Sequence, residues 1–222
     1  ETKVNKVDIS VILASSIHES KNAVGNLMYQ LQTLKSELEV PLEQVEKINN
    51  IEESLKQLND EWVEYLYLFK LASDGYDLQT ETWQVNEFLD DQVFVLSQSA
   101  SAKNLILDYQ CDESLLANFD ERLLTSVIST AVYNALRFAN NKITLRAELR
   151  NDFLVFLIDD DGPGFSDAED EEQEFLQNNT GLGLYFAELS AQAHTNKGNQ
   201  GYIEKSESTI LNGACLSIYI PQ

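Results

Sequence analysis

Apolar and small side chains recur in alternating steps of three and four along the first forty residues. The positions in this seam are Ser10, Leu13, Ile17, Ser20, Val24, Leu27, Leu31, Leu34 and Leu38. Such spacing is typical of a helix packed in a bundle. It predicts one helix over about residues 4–38, which ends near Val40-Pro41 because a proline disfavours helical geometry at the residue before it.

A second seam with the same spacing follows the proline. Its members are Ile48, Ile51, Leu55, Leu58, Trp62, Tyr65 and Phe69, and they predict a helix over about residues 42–72. Two long helices joined by a short turn form a hairpin with one apolar stripe on each helix. A second copy of the chain would bury both stripes in a dimeric four-helix bundle, so the pattern predicts a homodimer. The alternative is a hairpin covered by the chain's own second domain.

The periodicity changes after Ser73-Asp74-Gly75, which divides the chain into residues 1–75 and 76–222. The second part mixes apolar strand patterns with three helical patterns. Strands are predicted around Trp83 and at Leu105–Gln110, Leu115–Phe119, Lys142–Arg150, Phe153–Asp159, Gly201–Lys205 and Cys215–Ile220, with helices at about 87–101, 120–139 and 182–194. This mixture indicates a two-layer α/β sandwich, and the whole chain is assigned to the α+β class.

Local signals define two of these boundaries. Asp120 precedes the second helical pattern of this part and is of the residue type that caps helices. Asn151-Asp152 separates two strand patterns by two residues, which is the spacing of a tight hairpin turn.

Charge and composition exclude several classes of protein. The 222 residues carry a formal charge of -22 with only 15 Lys and Arg, so binding to nucleic acid or to an anionic membrane is not expected. No apolar run approaches the roughly 18 residues of a membrane span, and we expect neither such a span nor a signal segment in these residues. Cys111 and Cys215 indicate neither a disulfide framework nor a metal site, which fits a reducing cytoplasm. Because residue 1 is Glu, we expect an excised portion of a longer protein.

The first candidate for chemistry is His18, which lies one residue outside the seam of the first helix. That position is at the rim of the packed face, where an imidazole reaches water, a ligand or a second domain. Glu19 is its neighbour, and Asn22 follows one turn later on the same face. A zinc helix is excluded because Asn22 stands where the second histidine ligand is needed. Taken alone, a single helical histidine is ordinarily a solvated residue.

Two further candidates lie in the second part of the chain. Asn134, on a predicted helix, offers an uncharged oxygen, and Arg137 follows one turn later. This pair suits a hydrated Mg²⁺ and the phosphate that it bridges. Asp160, at the end of an apolar strand, supplies a fixed hydrogen-bond acceptor.

Two pairs of glycines accompany these polar residues. Gly162 and Gly164 would let the backbone approach a flat ring closely. Gly181 and Gly183, in the segment Thr180-Gly181-Leu182-Gly183-Leu184, would place free backbone N–H groups at a helix N-terminus, which favours a polyphosphate. Each motif is weak alone, but their order and spacing make coincidence improbable.

Together these motifs resemble the N, G1 and G2 boxes of sensor histidine kinases, and His18-Glu19 with Asn22 is similar to their H box. The kinases' ATP-binding domain has the Bergerat, or GHKL, fold shared with type II topoisomerases, Hsp90 and MutL. The resemblance covers nearly the whole chain. It implies that Asn134 holds Mg²⁺, that Asp160 accepts from the adenine amino group, and that His18 is phosphorylated. Gly162 and Gly164 would shape the adenine pocket, with Gly181 and Gly183 facing the phosphates.

The chain departs from the family pattern in several places. Thr130 replaces a second Asn, Cys215 stands where a hydroxyl residue commonly supports the adenine-binding Asp, and Ala23 replaces a Pro. Only Phe175 is available as the lid aromatic. Six acidic residues lie within Asp167–Glu174, and no Lys or Arg occurs between Arg150 and Lys197. We therefore expect Mg²⁺, Arg137 and Lys142 to balance the triphosphate charge, and nucleotide affinity to be weak.

The resemblance implies ATP-dependent autophosphorylation of His18 and phosphoryl transfer to an Asp of a response-regulator receiver domain. Glu19 would assist as a base and Asn22 would serve phosphatase activity toward that regulator. A sensor domain or sensory partner protein would supply the signal. Two alternatives remain open: a phosphotransfer or scaffold module with little kinase activity, and a topoisomerase-like or chaperone ATPase that forms no phosphohistidine.

Overall fold

The structure, a computed structural model, describes residues 9–37, 42–73, 75–165 and 180–222. The chain divides into two compact units, Glu1–Asp74 and Gly75–Gln222. In the described part of the chain, no helix combines the length and apolarity that crossing a bilayer requires.

The first unit is the predicted helical hairpin. Its helices are α1 (Ile9–Glu37) and α2 (Leu42–Ala72), which pack against each other along their length. A polar contact ties them together near the turn: the ammonium Nζ of Lys35 lies 2.7 Å from Oδ1 of Asn49 and 2.9 Å from Oε2 of Glu52. Val24 is buried, whereas Leu27 and Ile51 remain about half exposed. The hairpin therefore leaves part of each apolar stripe open to solvent.

The second unit contains nine strands and three helices in its described residues. The strands are β1 (Glu81–Gln84), β2 (Ile106–Cys111), β3 (Leu116–Phe119), β4 (Lys142–Arg150), β5 (Phe153–Asp160), β6 (Thr195–Asn196), β7 (Asn199–Gln200), β8 (Tyr202–Glu207) and β9 (Ala214–Pro221), and the helices are α3 (Val85–Ala102), α4 (Glu121–Phe138) and α5 (Thr180–Ala193). These helices layered on a mixed sheet confirm the predicted α+β class.

The main sheet has the strand order β2-β4-β5-β9-β8. β2 pairs with β4 in parallel, and every other neighbouring pair is antiparallel. The central strands β5 and β9 are almost completely buried. Because successive side chains of a strand point to opposite faces, Phe156 and Asp160 share one face of β5 and Asp159 lies on the other.

An aromatic cluster joins helix α3 to the sheet. The rings of Phe88 on α3, Phe119 on β3 and Phe156 on β5 meet edge to face, with centroids 5.0–5.6 Å apart. Phe119 and Phe156 are fully buried. Edge-to-face packing adds to the free energy gained by burying these large apolar surfaces. This cluster marks the helix-covered face of the sheet, the face on which Asp160 lies.

Both local boundary predictions are confirmed. The side chain of Asp120 caps α4 by accepting a hydrogen bond from the backbone N–H of Leu123 at 3.1 Å. The turn at Asn151-Asp152 joins β4 to β5, and Asn151 has a positive φ of 53°. Asparagine tolerates this left-handed conformation better than most residues.

The sequence did not predict the small hairpin of β6 and β7. Each strand has two residues, which is too short to produce a periodic pattern, and Lys197 and Gly198 form the turn with positive φ. α5 also begins at Thr180, about two residues before the predicted start. Helix ends are commonly uncertain by this amount because local signals there are weak.

The aromatic cluster gives a first testable prediction. Replacing Phe156 by Ala should lower the free energy of unfolding by about 3–5 kcal/mol, since the cavity has no solvent access. Urea unfolding of the whole chain followed by near-UV circular dichroism measures this change. Phe94→Ala is the matched control because Phe94 is 81% exposed, and it should change stability by less than about 0.5 kcal/mol. Equal losses in the two variants would contradict the assignment of Phe156 to the core.

Candidate functional site

The carboxylate of Asp160 lies at the end of the central strand β5. It is buried, and its Oδ1 accepts hydrogen bonds from the backbone N–H of Gly162 at 2.8 Å and of Ala214 at 3.3 Å. Burial raises the pKa of this carboxyl, an effect that the two N–H donors oppose and the neighbouring acids Asp161 and Asp159 increase. Oδ2 has no partner among these bonds and is the oxygen available to a ligand donor.

Two glycines let the backbone close around Asp160. A Cβ added to Gly162 would lie 2.5 Å from the carbonyl oxygen of Phe138, at the end of α4. One added to Gly213 would lie 2.4 Å from the carbonyl oxygen of Asp160 and 2.6 Å from the nitrogen of Gly162. Gly164 differs, because nothing lies near its Cβ position but its φ is +84°. Gly162 and Gly213 must be glycine because a side chain would collide with the neighbouring backbone. Gly164 must be glycine because other residues rarely adopt its positive φ.

Asp161 organises the turn on the other side of Asp160. Its Oδ1 accepts from the backbone N–H groups of Asn140, Asn141 and Lys142 at 2.8–3.1 Å. Its Oδ2 also accepts from the side chain of Asn141 at 3.0 Å. Desolvation raises the pKa of Asp161, but these donors outweigh it and lower the pKa to about 2. Asp161 was not among the sequence candidates, although Asp-Asn-rich turns carry such bonds.

Asn134 on α4 faces the first turn of α5. A Cβ added to Gly183 would lie 2.9 Å from Nδ2 of Asn134 and 2.9 Å from Cγ2 of Thr130, so glycine is needed for this approach. Asn134 is half-buried, as are Leu182 and Leu184. Thr180 and Gly181 open α5, but their side-chain surroundings lie outside the described residues. The structure thus brings Asn134 and Gly183 together.

The two cations expected to balance phosphate charge occupy different places. Arg137 is exposed, and its guanidinium carbon lies 5.8 Å from the centroid of the Phe138 ring. Lys142 forms an ion pair with Asp108 at 2.7 Å. By strand alternation Lys142 lies on the face opposite to Ile143 and its partner Asp160. Lys142 is thus paired on the face of the sheet opposite to Asp160, and its role toward a triphosphate stays a prediction.

Cys215 also lies on the opposite face from Asp160. It pairs with Asp159 across β5 and β9 and packs with Val155, Leu157 and Tyr219. Burial raises the pKa of its thiol, and nearby Asp159 adds to the rise. The side chain at position 215 therefore points away from Asp160, and the neighbouring residue Ala214 contacts Asp160 instead, through its backbone N–H.

The histidine candidate lies in the other unit, on α1. His18, Glu19 and Asn22 are all exposed, and Nδ2 of Asn22 lies 3.4 Å from Nδ1 of His18. A bond of this length is weak. α1 continues as a helix through Ala23. Phe175 and the acidic segment Asp167–Glu174 lie outside the described residues.

The residues near Asn134 fit only a particular kind of metal site. In the described part of the chain, no three His, Cys, Asp or Glu side chains are grouped so as to hold an ion. Mg²⁺ commonly keeps several waters and binds one or two protein oxygens together with substrate phosphates. A single half-buried carboxamide beside a helix N-terminus fits that arrangement.

Sequence comparison relates the chain to a known ATPase family. Residues 119–222 match the family described as histidine kinase-, DNA gyrase B-, and HSP90-like ATPase. The sensor histidine kinase CpxA of Escherichia coli K12 is 29% identical over 191 residues, which cover 79% of this chain and 39% of CpxA. The chain therefore spans about two fifths of the length of this curated relative.

Structural comparison supports the same fold over more of the chain. The Acinetobacter baumannii histidine kinase AdeS superposes with a TM-score of 0.61 at 15% identity, covering 90% of this chain and 95% of that one. Full-length ShkA in complex with AMPPNP superposes with a TM-score of 0.65 at 19% identity, covering 94% of this chain and 45% of ShkA. The catalytic domain of the histidine kinase ThkA superposes with a TM-score of 0.54 at 19% identity, covering 64% of this chain and 95% of that domain.

The low pKa of Asp161 predicts how stability depends on pH. The pKa is about 2 in the fold, below the value of about 3.9 for an unfolded Asp, so this stabilisation is present above pH 4 and is lost as pH falls toward 2. Asp161→Asn should therefore be less stable than wild type at pH 7, and the difference should shrink between pH 4 and pH 2. Urea unfolding at each pH measures it.

The matched control is Asp152→Asn, which changes an exposed acid in the β4–β5 turn. It should unfold like wild type at every pH. A stability difference for Asp161→Asn that stays constant from pH 7 to pH 2 would contradict the role given to this carboxylate.

Proposed function

We propose that this chain, a sensor histidine kinase homologue with a GHKL-type ATPase domain, uses ATP to phosphorylate its own His18. The observation that carries the proposal is the arrangement at the end of β5. Two backbone N–H groups donate to Oδ1 of Asp160 there, and Oδ2 remains for a ligand. Gly162 and Gly213 lie so close to the neighbouring backbone that no larger residue fits at either position. A flat base with an exocyclic amino group is the ligand that such an acceptor selects.

The phosphate groups would extend toward α4 and α5. Gly183 lies against Asn134, and the helix N-terminus beside them supplies backbone N–H groups and a favourable dipole for anions. Asn134 would be the protein ligand of Mg²⁺, which when bound offsets charge on the phosphates. ShkA, which shares this fold, is described in complex with AMPPNP, and this supports an adenine nucleotide here.

The chemical step forms a nitrogen–phosphorus bond at His18. A lone pair of the imidazole attacks the γ-phosphorus in line, the bond to the β-phosphate oxygen breaks, and ADP leaves. The proton on the other ring nitrogen passes to Glu19, the exposed carboxylate next in sequence. The exposure of His18 supports its use as an acceptor, since the nucleotide is carried by the other unit.

The apolar surface left on the hairpin supports a homodimer. Leu27, Leu34, Ile51 and Leu58 belong to the two predicted seams yet are 37–52% exposed in the single chain. A second hairpin packed against these residues would complete a four-helix bundle and remove this surface from water.

The acceptor of the phosphoryl group would be an aspartate of a response-regulator receiver domain. Such a domain would contact α1 around His18, Asn22, Gly25 and Tyr29, all of which are exposed, with Tyr29 at 71%. A sensory domain or partner protein would control the reaction. Asn22, whose amide lies near the His18 ring, is placed to orient a water for hydrolysis of the regulator's phosphoaspartate.

One observation favours a second candidate, a phosphotransfer module with little kinase activity. Lys142 is held in an ion pair with Asp108 on the far side of the sheet, and Arg137 lies over Phe138. A triphosphate would therefore have to draw both cations away from the partners that they have within the protein. A module of this kind would accept phosphate at His18 from a phosphorylated receiver domain but incorporate little from ATP.

Incubation with γ-labelled ATP and Mg²⁺ tests the kinase proposal. Wild type should acquire acid-labile label, His18→Gln should acquire none, and Asn134→Ala should be slower by roughly 10²-fold because a group that stabilises transferring charge is lost. Gln30→Ala, an exposed change on the same helix, is the control and should label like wild type. Label that persists in His18→Gln would contradict the proposed acceptor, and wild type without label would favour the second candidate.

The role of Asn22 is tested separately. Asn22→Ala should retain autophosphorylation but lose phosphatase activity toward the phosphorylated receiver domain by about 10²-fold, as expected when a water is no longer oriented. Asn26→Ala, one turn later and also exposed, is the matched control. Equal loss of both activities in Asn22→Ala would remove this role.

A further inference from the structure

A buried charged group lies directly behind the nucleotide site. Asp159 neighbours Asp160 in β5, but its side chain points to the opposite face of the sheet and is completely buried. Its Oδ2 accepts from Nε of Arg146 at 2.8 Å, and its Oδ1 accepts from Oγ of Ser208 at 2.7 Å. A buried carboxylate is tolerated only when it is paired and hydrogen-bonded in this way. The arrangement fixes Ser208 to the centre of the sheet.

Ser208 is also the residue around which the β8–β9 loop, residues 208–213, is built. While its hydroxyl donates to Asp159, the same oxygen accepts from the backbone N–H of Leu211 at 3.0 Å and of Ile210 at 3.3 Å. Its backbone N–H donates to the carbonyl of Gly213 at 2.7 Å, which closes the loop. The hydroxyl therefore uses its donor and both acceptor positions to join the loop to Asp159.

The far end of the β8–β9 loop forms one wall of the Asp160 site. Gly213 has no room for a side chain between the carbonyl of Asp160 and the N–H of Gly162. The next residue, Ala214, donates one of the two backbone hydrogen bonds that Asp160 accepts. A shift of the loop by a few tenths of an ångström would change this bond and the direction of the free carboxylate oxygen.

We infer that Arg146, Asp159 and Ser208 are positioning residues that set base selectivity at Asp160 by holding the β8–β9 loop in register. The inference rests on the proposed adenine-nucleotide site and extends it to the reverse face of the sheet. The Asp159 side chain lies on the face of the sheet opposite to Asp160, and both Arg146 and Ser208 bond it there. Arg146 and Asp159 hold Ser208, Ser208 holds the β8–β9 loop, and the loop places the N–H of Ala214 on Asp160. Loss of any of the three side chains would therefore loosen the carboxylate of Asp160, which distinguishes an amino group from a carbonyl oxygen.

Base selectivity can be measured separately from the stability of the fold. A general weakening of the fold would lower the affinity for every nucleotide by the same factor. A displaced Ala214 N–H instead changes the orientation of Asp160, which weakens its bond to the 6-amino group of adenine; guanine carries a carbonyl oxygen at that position and has no such bond to lose. The ratio of ADP to GDP affinity is therefore the readout that a merely structural role would not alter.

Calorimetric titration of the whole chain with ADP and with GDP provides the test. Ser208→Ala should reduce the ratio of ADP to GDP affinity by about fivefold to tenfold, the effect of impairing one hydrogen bond. Ser208→Thr keeps the hydroxyl and should restore most of the ratio. Arg146→Lys keeps the charge but lacks the guanidinium Nε, and should shift the ratio in the same direction by less.

Thr144→Val is the matched control. Thr144 is also fully buried on the reverse face, where its hydroxyl donates to Asp108 at 2.6 Å, but it makes no bond to the β8–β9 loop. Its ratio should equal that of wild type. The inference is overturned if the ratio of ADP to GDP affinity is unchanged in both Ser208→Ala and Arg146→Lys, or if Thr144→Val changes it as much as they do. In either case, ADP binding by wild type would leave the proposed function intact. Absence of ADP binding by wild type would remove both.

Discussion

The structure of the second unit depends on how a carboxylate is accommodated at the buried end of β5. Asp160 cannot be solvated freely there, so backbone N–H groups from Gly162 and Ala214 stabilise it. Those donors reach it only because Gly162 approaches the end of α4 and Gly213 approaches β5 without side chains. One polar group thus constrains a helix end, a turn and a loop, and it leaves one oxygen for a ligand.

At the proposed nucleotide site, binding would depend on backbone N–H groups, on Asn134 and on a bound metal more than on Lys or Arg side chains. The chain is strongly acidic, and the two cations expected to serve the phosphates already have partners: Lys142 pairs with Asp108, and Arg137 lies 5.8 Å from the centroid of the Phe138 ring. The remaining favourable terms are the helix N-terminus of α5, the carboxamide of Asn134 and the metal that it would hold. With so few protein cations the nucleotide would bind weakly, as expected from the sequence. The position of Asp160 would then matter more for nucleotide affinity.

Much of the fold and of the candidate site was predictable from local sequence patterns. Heptad spacing predicted the hairpin, and the order of Asn134, Asp160 and the glycines predicted that a helix, a strand end and a helix start converge. The sheet faces on which Lys142 and Cys215 lie were not predictable, because they depend on strand register, which residue types alone do not specify. The bond from Ser208 to Asp159 joins residues 49 apart, and nothing local indicates it. Dimerisation and the roles of His18, Glu19 and Asn22 stay predictions.

The central claim, that Asp160 reads the amino group of adenine, is tested most directly by comparing ADP with inosine diphosphate, which carries a carbonyl oxygen at that position. Calorimetry on wild type should show a preference for ADP of at least about tenfold, the cost of facing an acceptor with an acceptor. In Asp160→Asn the preference should vanish or reverse, because the new amide donates to the carbonyl. Equal affinities in wild type, or a preference unchanged in Asp160→Asn, would contradict the account.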